Sequence, residues 1–302
     1  MIESTAPARM RDRRRAAPLR VVAQALRVRQ WTKNLLLFAG LLFAAKLGDG
    51  TRWWEAWLAF AAYSAASSAA YLLNDVLDVE RDRLHPAKRY RPVASGRLSV
   101  PAALGLAAVL AASALGAAGA LGLESLVFLA GFLVLQLAYS FRLKQLVGLD
   151  VLTIAGLFTI RAAAGAEAVR VRVSPWLLAC TALLALFLAL AKRRGELGLE
   201  GSGEGARRAV LAHYSASALD RLLVAVAVST VAAYSAYAFS ARDSFEMGVT
   251  IPFVVAAIAR YLVLVHRHGL GEEPEEILLT DIPILVAIGS WAVTAALVLT
   301  LT

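Results

Sequence analysis

Asn74, Asp75, Asp78 and Asp82 are the residues of this chain best equipped for chemistry. They open the stretch from Asn74 to Arg97, which also holds Glu80, His85 and six Lys or Arg residues. On a helix Asp75, Asp78 and Asp82 share one face, and Glu80 points roughly the other way. Three carboxylates on one face repel one another unless a cation neutralises them. Oxygen donors alone suit Mg²⁺, which takes one or two carboxylates and completes its shell with substrate phosphates. Lys88, Arg89 and Arg91 follow closely, and such a cluster suits phosphate. Carboxylates for a metal beside cations for phosphate imply a substrate that carries a diphosphate. A solvated loop of mixed charge would need neither the Asn in front, the third Asp on the face, nor the basic run behind.

These residues sit between apolar segments. The chain has 302 residues, 59% of them hydrophobic, and a mean hydropathy of +0.65. That composition predicts an all-α, polytopic membrane bundle. Apolar runs of spanning length recur nine times, near 24–47, 53–78, 100–122, 124–141, 148–169, 174–192, 218–240, 248–266 and 282–301. Gly122 and Glu124 mark a tight turn between the third and fourth. Residues 1–18, rich in Arg, Ala and Pro, read as a disordered basic cytosolic tail without a cleaved signal peptide, and 19–302 as one transmembrane catalytic domain. The single Cys180 excludes a disulfide framework and a Cys-based metal site.

The net charge of +9 does not point to nucleic acid, because the cations are sorted between loops. Of 31 Lys and Arg residues, 24 fall in the N-terminal segment up to Lys33 or in the loops around Arg81–Arg97, Arg142–Lys144, Lys192–Arg221 and Arg267, after spans two, four, six and eight. The positive-inside rule puts those segments, and the Asp-rich loop, in the cytosol. It expects the N-terminus inside and the C-terminus outside. Trp31 reads as an interfacial anchor. Lys33 and Asn34 either snorkel at the interface or line a headgroup site. The loop after span four offers Tyr139, Lys144 and Asp150. Arg161 lies inside a span, on the same face as Asp150, and a buried cation there faces a polar cavity, an anion or a structural ion pair. Lys192, Arg193 and Glu196 begin the loop after span six, with Lys192 and Glu196 spaced for a helical ion pair. Gly201, Gly203 and Gly205 read as a flexible connection without the G-K-[ST] of a P-loop. His213 and Tyr214 read as loop residues, and Glu272 to Glu276 as a solvated acidic cap.

The motifs N-D-x-x-D-x-x-x-D after span two and Y-S-x-x-L-K after span four, with nine spans, resemble the UbiA-type intramembrane prenyltransferases from about Gln30 onward. R-Q-W-T-K-N, N-D-V-L-D-V-E-R-D-R-L-H-P-A-K-R-Y-R-P, K-R-R-G-E-L and G-E-E-P-E-E narrow the resemblance to the decaprenyl-phosphate phosphoribosyltransferase branch. That branch transfers phosphoribosyl from phosphoribosyl diphosphate (PRPP) to a polyprenyl phosphate, for the arabinan of a bacterial cell wall. Prenyl-diphosphate users carry a second motif, D-x-x-x-D, after span six. Here that place holds Lys192, Arg193 and Glu196.

The resemblance implies a UbiA-like bundle in the bacterial inner membrane with its site open to the cytosol. It implies Mg²⁺ on Asp75, Asp78 and Asp82, with Asn74 completing or orienting the shell. Lys88, Arg89 and Arg91 would meet the 5-phosphate or the diphosphate. Tyr139, Lys144, Arg161, Lys192 and Arg193 would meet the remaining phosphates. Glu196 would touch metal or pair with Lys192. Transfer of an isoprenoid to a small acceptor, and lipid or phosphate transport, are the alternatives. Isoprenoid length and self-association into a homo-oligomer are left open.

Overall fold

The computed structural model describes residues 20–43, 48–198, 211, 213–240, 245–271 and 274–301. The basic tail, the alternating glycines at 201–205 and Glu272 lie outside them. The described residues form helices and turns, without a strand. Seven helices are long and apolar enough to cross a membrane. They are α3 (Gly50–Leu77), α5 (Val100–Leu121), α6 (Leu123–Phe141), α7 (Leu149–Ala168), α8 (Pro175–Gly198), α9 (Ala216–Ser240) and α10 (Ile251–His268), the last extended forward by a 3₁₀ turn over Phe245–Thr250. The remaining two expected spans are the terminal ones. The last is α12 (Ile282–Leu301), apolar but shorter over its described part. The short helix α11 (Pro274–Thr280) leads into it.

The first expected span is not one helix. A helix α1 over 20–26 stops at Arg27, whose backbone is left-handed at φ 51°. A 3₁₀ segment, Val28–Phe38, and a short α2, Ala39–Phe43, follow. In a 3₁₀ helix side chains three apart line up. Trp31, Asn34 and Leu37 therefore form one row against α3. The Trp31 Nε1–H donates to Ser68 Oγ at 3.0 Å, and Asn34 Nδ2 donates to Ser64 Oγ at 3.1 Å. Trp31 thus turns its indole N–H toward α3 and is half-buried there. Exposed tryptophans sit instead at the start of α3, at Trp53, Trp54 and Trp57.

Backbone contact explains why this segment gives up α geometry. A Cβ on Gly165 of α7 would stand 2.3 Å from the Leu37 carbonyl oxygen, and one on Gly40 2.7 Å from Ala166 Cα. Small residues let membrane helices approach this closely. One core then joins Leu37, Tyr63, Leu129, Phe132 and Leu157 across the 3₁₀ segment, α3, α6 and α7. A second joins Phe187, Leu219, Leu223, Tyr261 and Ile284 across α8, α9, α10 and α12. Val151 carries α7 into this second core. α3 and α7 bury most of their length, whereas the other spans turn most of theirs outward.

Gly122 alone separates α5 from α6, at φ 141°, as the expected turn requires. α8 departs from expectation at its end. It continues to Gly198, so Lys192, Arg193 and Glu196 are its last turns rather than a loop. Arg, Lys and Glu are good helix formers, and hydropathy marks only where a helix leaves the apolar layer.

Gly165→Ala should lower stability in detergent by about 1–3 kcal/mol through overpacking. Gly105→Ala, with open space around its Cβ, should be neutral or mildly stabilising. Thermal unfolding of the two variants beside the parent checks this.

Candidate functional site

α3 ends at Leu77, and Asp78 breaks the helix at φ −95°, ψ 8° before the short α4, Val79–Leu84. The break splits the acidic residues into two sets. Asp75 and Asp82, seven apart, stay on one line and are both buried. Asp78 pairs instead with Asn74, four residues back, whose Nδ2 donates to its Oδ2 at 3.1 Å. The single three-carboxylate face expected from spacing is thus corrected to two neighbouring oxygen sets. Glu80 points outward and pairs with exposed Arg83 at 2.8 Å.

A cation serves each set. Past the 3₁₀ turn Lys88–Tyr90 the chain returns under α3, and Arg91 Nη1 donates to Asp82 Oδ2 at 2.7 Å and Asp75 Oδ1 at 3.2 Å. Arg27, at the break of the first segment, adds an ion pair to Asp75 Oδ1 at 2.5 Å and stacks over the Tyr71 ring. Lys144, just beyond α6, reaches Asp78 Oδ2 at 3.3 Å and Asn74 Oδ1 at 3.4 Å. Arg91, Lys144 and the four acidic-motif residues of the sequence reading are brought together. Arg27 was missed, because one Arg in a basic approach to a span carries no signal of its own.

Other candidates lie elsewhere. Exposed Arg89 stacks on Tyr90 and donates to its hydroxyl at 2.7 Å. Lys88 is half-buried beside it, and Lys33 is half-buried on the 3₁₀ segment. The His85 Nδ1 accepts from the Ala87 and Lys88 N–H groups. Burial and then the Lys88 charge hold this ring below its usual range.

A second group forms between α7 and α8. Arg193, fully buried, donates from Nε to Asp150 Oδ2 at 2.6 Å and from Nη1 to Glu196 Oε2 at 2.5 Å. Half-buried Tyr139, on α6, is close enough to act on its charge. Tyr214 donates to Asp150 Oδ1 at 2.6 Å and accepts from the Gly148 N–H at 2.9 Å. Tyr214 is the loop residue expected, just before α9, and its hydroxyl also struts the loop against Asp150 and Gly148. Glu196 pairs with Arg193, three residues back, because Arg193 faces inward to Asp150; Lys192 is half-buried next to it. Asp150, at the start of α7, and Glu196, near the end of α8, form an acidic pair on Arg193 from two helices instead of one motif.

Arg161 meets neither Asp150 nor any other carboxylate among the described residues. Its Nε donates to Asn34 Oδ1 at 2.8 Å and Nη1 to the Leu157 carbonyl at 3.1 Å. Its guanidinium lies over Phe132 and Phe158, at 4.6 and 5.3 Å.

The acidic residues fit a hard divalent cation. Their donors are all oxygen, and each set already converges on a positive nitrogen in the place a cation would take. As they stand, no three His, Cys, Asp or Glu side chains among the described residues form a closed metal cluster.

The model of the UbiA prenyltransferase family matches residues 35–275. The chain is similar to a decaprenyl-phosphate phosphoribosyltransferase of Mycobacterium tuberculosis, at 37% identity over 90% of this chain and 92% of that one. One of Mycolicibacterium smegmatis is 37% identical over 89% of each chain. In fold it is similar to a UbiA homologue of Archaeoglobus fulgidus solved with GPP and Mg²⁺, with a TM-score of 0.72, 19% identity and coverage of 93% and 99%.

Burial, and then the bond to Asp150, push the Tyr214 hydroxyl up to about 12 from an ordinary value near 10. The folded chain keeps this proton longer than the unfolded one. Stability relative to Tyr214→Phe should therefore be fully present below pH 10 and fall as pH rises from 10 towards 12. Alkaline unfolding of both proteins measures the difference; parallel curves would contradict it.

Proposed function

We propose, for a chain that belongs to the UbiA prenyltransferase family, that it transfers the 5-phosphoribosyl group of PRPP to a polyprenyl phosphate of the decaprenyl class, releasing diphosphate. The observation that carries this reading is the threading of Arg27, Arg91 and Lys144 between the carboxylates. One prenyl diphosphate with its metal would leave such cations in excess. A donor with three phosphorus centres and an acceptor with a fourth use them. The identity to two named phosphoribosyltransferases supports the same reading.

Asp75, Asp78 and Asp82, with Asn74 orienting Asp78, would hold Mg²⁺. When bound, the ion supplies Lewis-acid neutralisation of the leaving diphosphate. Arg27, Arg91 and Lys144 would exchange carboxylate for phosphate oxygens, a trade between charge-assisted hydrogen bonds. The lipid phosphate is already an anion, so its oxygen attacks C1 of the ribose without a strong general base. The C1–O bond to diphosphate breaks, its electron pair leaves with the diphosphate, and in-line attack inverts the α-anomer. Buried carboxylates stabilise the positive charge that C1 gains meanwhile. Tyr139, Lys192 and Arg193 would serve the remaining phosphates, and Lys88, Arg89 and Lys33 would meet the substrate on entry. The sorting of cations supports a mouth and an N-terminus on the cytosolic side, where activated phosphate metabolites are found, and the reading as this phosphoribosyltransferase implies a bacterial inner membrane.

Purified protein with Mg²⁺, polyprenyl phosphate and radiolabelled PRPP should yield a labelled lipid. Chelation should abolish it and added Mg²⁺ restore it. Asp75→Asn or Asp78→Asn should lower turnover by roughly 10²- to 10³-fold in folded protein. Transfer from a prenyl diphosphate to an aromatic acceptor, with no labelled lipid from PRPP, would overturn the assignment.

A further inference from the structure

Arg161 is a buried charge without a counter-ion among the described residues. It is 4% exposed, lies inside a membrane-length helix, and has as neighbours an amide oxygen, a backbone carbonyl and two aromatic faces. A cation in such surroundings is costly unless an anion joins it. The side chains that act on its charge are Tyr71 and Tyr63 of α3. Tyr63, Ser67 and Tyr71 are four residues apart and share one face. Tyr63 and Arg161 both pack on the Phe132 ring, at 5.1 and 4.6 Å. The hydroxyls of Tyr63 and Ser67 are buried and have no hydrogen-bond partner among the described residues. Such hydroxyls normally find a partner. One unpaired cation and two unpaired hydroxyls on facing helices make a donor set that lacks its anion.

The set lies at a definite distance from the acidic motif. Eight residues of α3 separate Ser67 from Asp75, a rise of about 12 Å. Tyr71 stands between them, its ring under the guanidinium that pairs with Asp75. A pentose with a diphosphate at C1 and a phosphate at C5 has this length scale and this spacing of charge.

We infer that Arg161, with Tyr63 and Ser67, binds the phosphate monoester at C5 of the donor while its diphosphate lies at Asp75 and Asp82. This rests on PRPP as the donor. It makes Arg161 the residue that separates a phosphorylated sugar from a prenyl diphosphate, whose far end is hydrocarbon. Ser64 and Asn34 position the guanidinium through the hydrogen bonds already described.

Two probes, each carrying one end of the donor, test this. Ribose 5-phosphate and inorganic diphosphate are titrated, with Mg²⁺, into the full-length protein in detergent. Arg161→Gln should weaken ribose 5-phosphate by about 10- to 100-fold, the loss of a charged hydrogen bond, and change diphosphate by less than about 2-fold. Ser67→Ala and Tyr63→Phe, which remove single hydroxyls, should each weaken ribose 5-phosphate by about 3- to 10-fold, and they keep the test open if Arg161→Gln does not fold. Equal losses for both probes, or none, would give Arg161 a purely structural role and overturn the inference. If the parent protein binds diphosphate but not ribose 5-phosphate, the reading of PRPP as donor itself fails. The two failures are thereby distinct.

Discussion

Asp75 and Asp82 can be buried at the foot of a membrane helix because Arg91 stands between them, with Arg27 also paired to Asp75. Two ionised carboxylates in a medium of low dielectric repel strongly, and each also loses its water. Removing the partner of such a charge costs about 3–5 kcal/mol. The chain after α4 therefore has to return under α3, and the 3₁₀ turn over Lys88–Tyr90 is how it does so. The same constraint recurs across the site, where Arg193 stands between Asp150 and Glu196. Each half of the bundle thus presents an arginine clamped by two acids, and Lys144 sits beside the first of them. The substrate and metal proposed above would meet charges that are already paired and held in place.

The broken first segment follows from the same need. Arg27 reaches Asp75 only because the chain turns there in a left-handed conformation. Below it, the tight row of the 3₁₀ segment brings Asn34 between Ser64 and Arg161. Gly40 and Gly165 permit this by letting two backbones touch. A regular α-helix over the same residues would spread Trp31, Asn34 and Leu37 around its surface, and the buried guanidinium would lose its amide partner. Polar side chains on one face of α3, from Tyr63 through Ser67 and Tyr71 to Asp75, run from the acidic motif into the apolar layer. They are spaced by a helical turn among alanines and serines, so they read as ordinary small-residue packing until Arg161 is placed opposite.

Much of this was legible beforehand. Apolar runs located seven of the spans within a few residues, since a bilayer demands length and hydropathy whatever the neighbours. The acidic motif and the basic run behind it stood out because nothing else explains so many charges between two spans. Residues whose meaning depends on a distant partner stayed hidden. Arg27, Tyr214 and the tyrosine–serine stripe are common types in common settings. Trp31 looked interfacial because its neighbours in sequence are charged, while its neighbour in space is Ser68. The helical end of α8 was hidden because charge marks the membrane boundary and not the end of hydrogen bonding.

The sequence alone determined the solvent of this protein, the number and order of its apolar segments to within the two terminal ones, and the class of ligand its acidic motif suits. These are properties of short stretches, decided by transfer free energy and local spacing. Only the tertiary structure decided which cation serves which carboxylate, that Asp78 parts from Asp75 and Asp82, and that Arg161 meets Asn34 and two aromatic rings rather than Asp150. Those outcomes turn on distances between helices that are remote in the chain. Ion pairs and hydrogen bonds act over a few ångströms, and only packing brings their partners within that range.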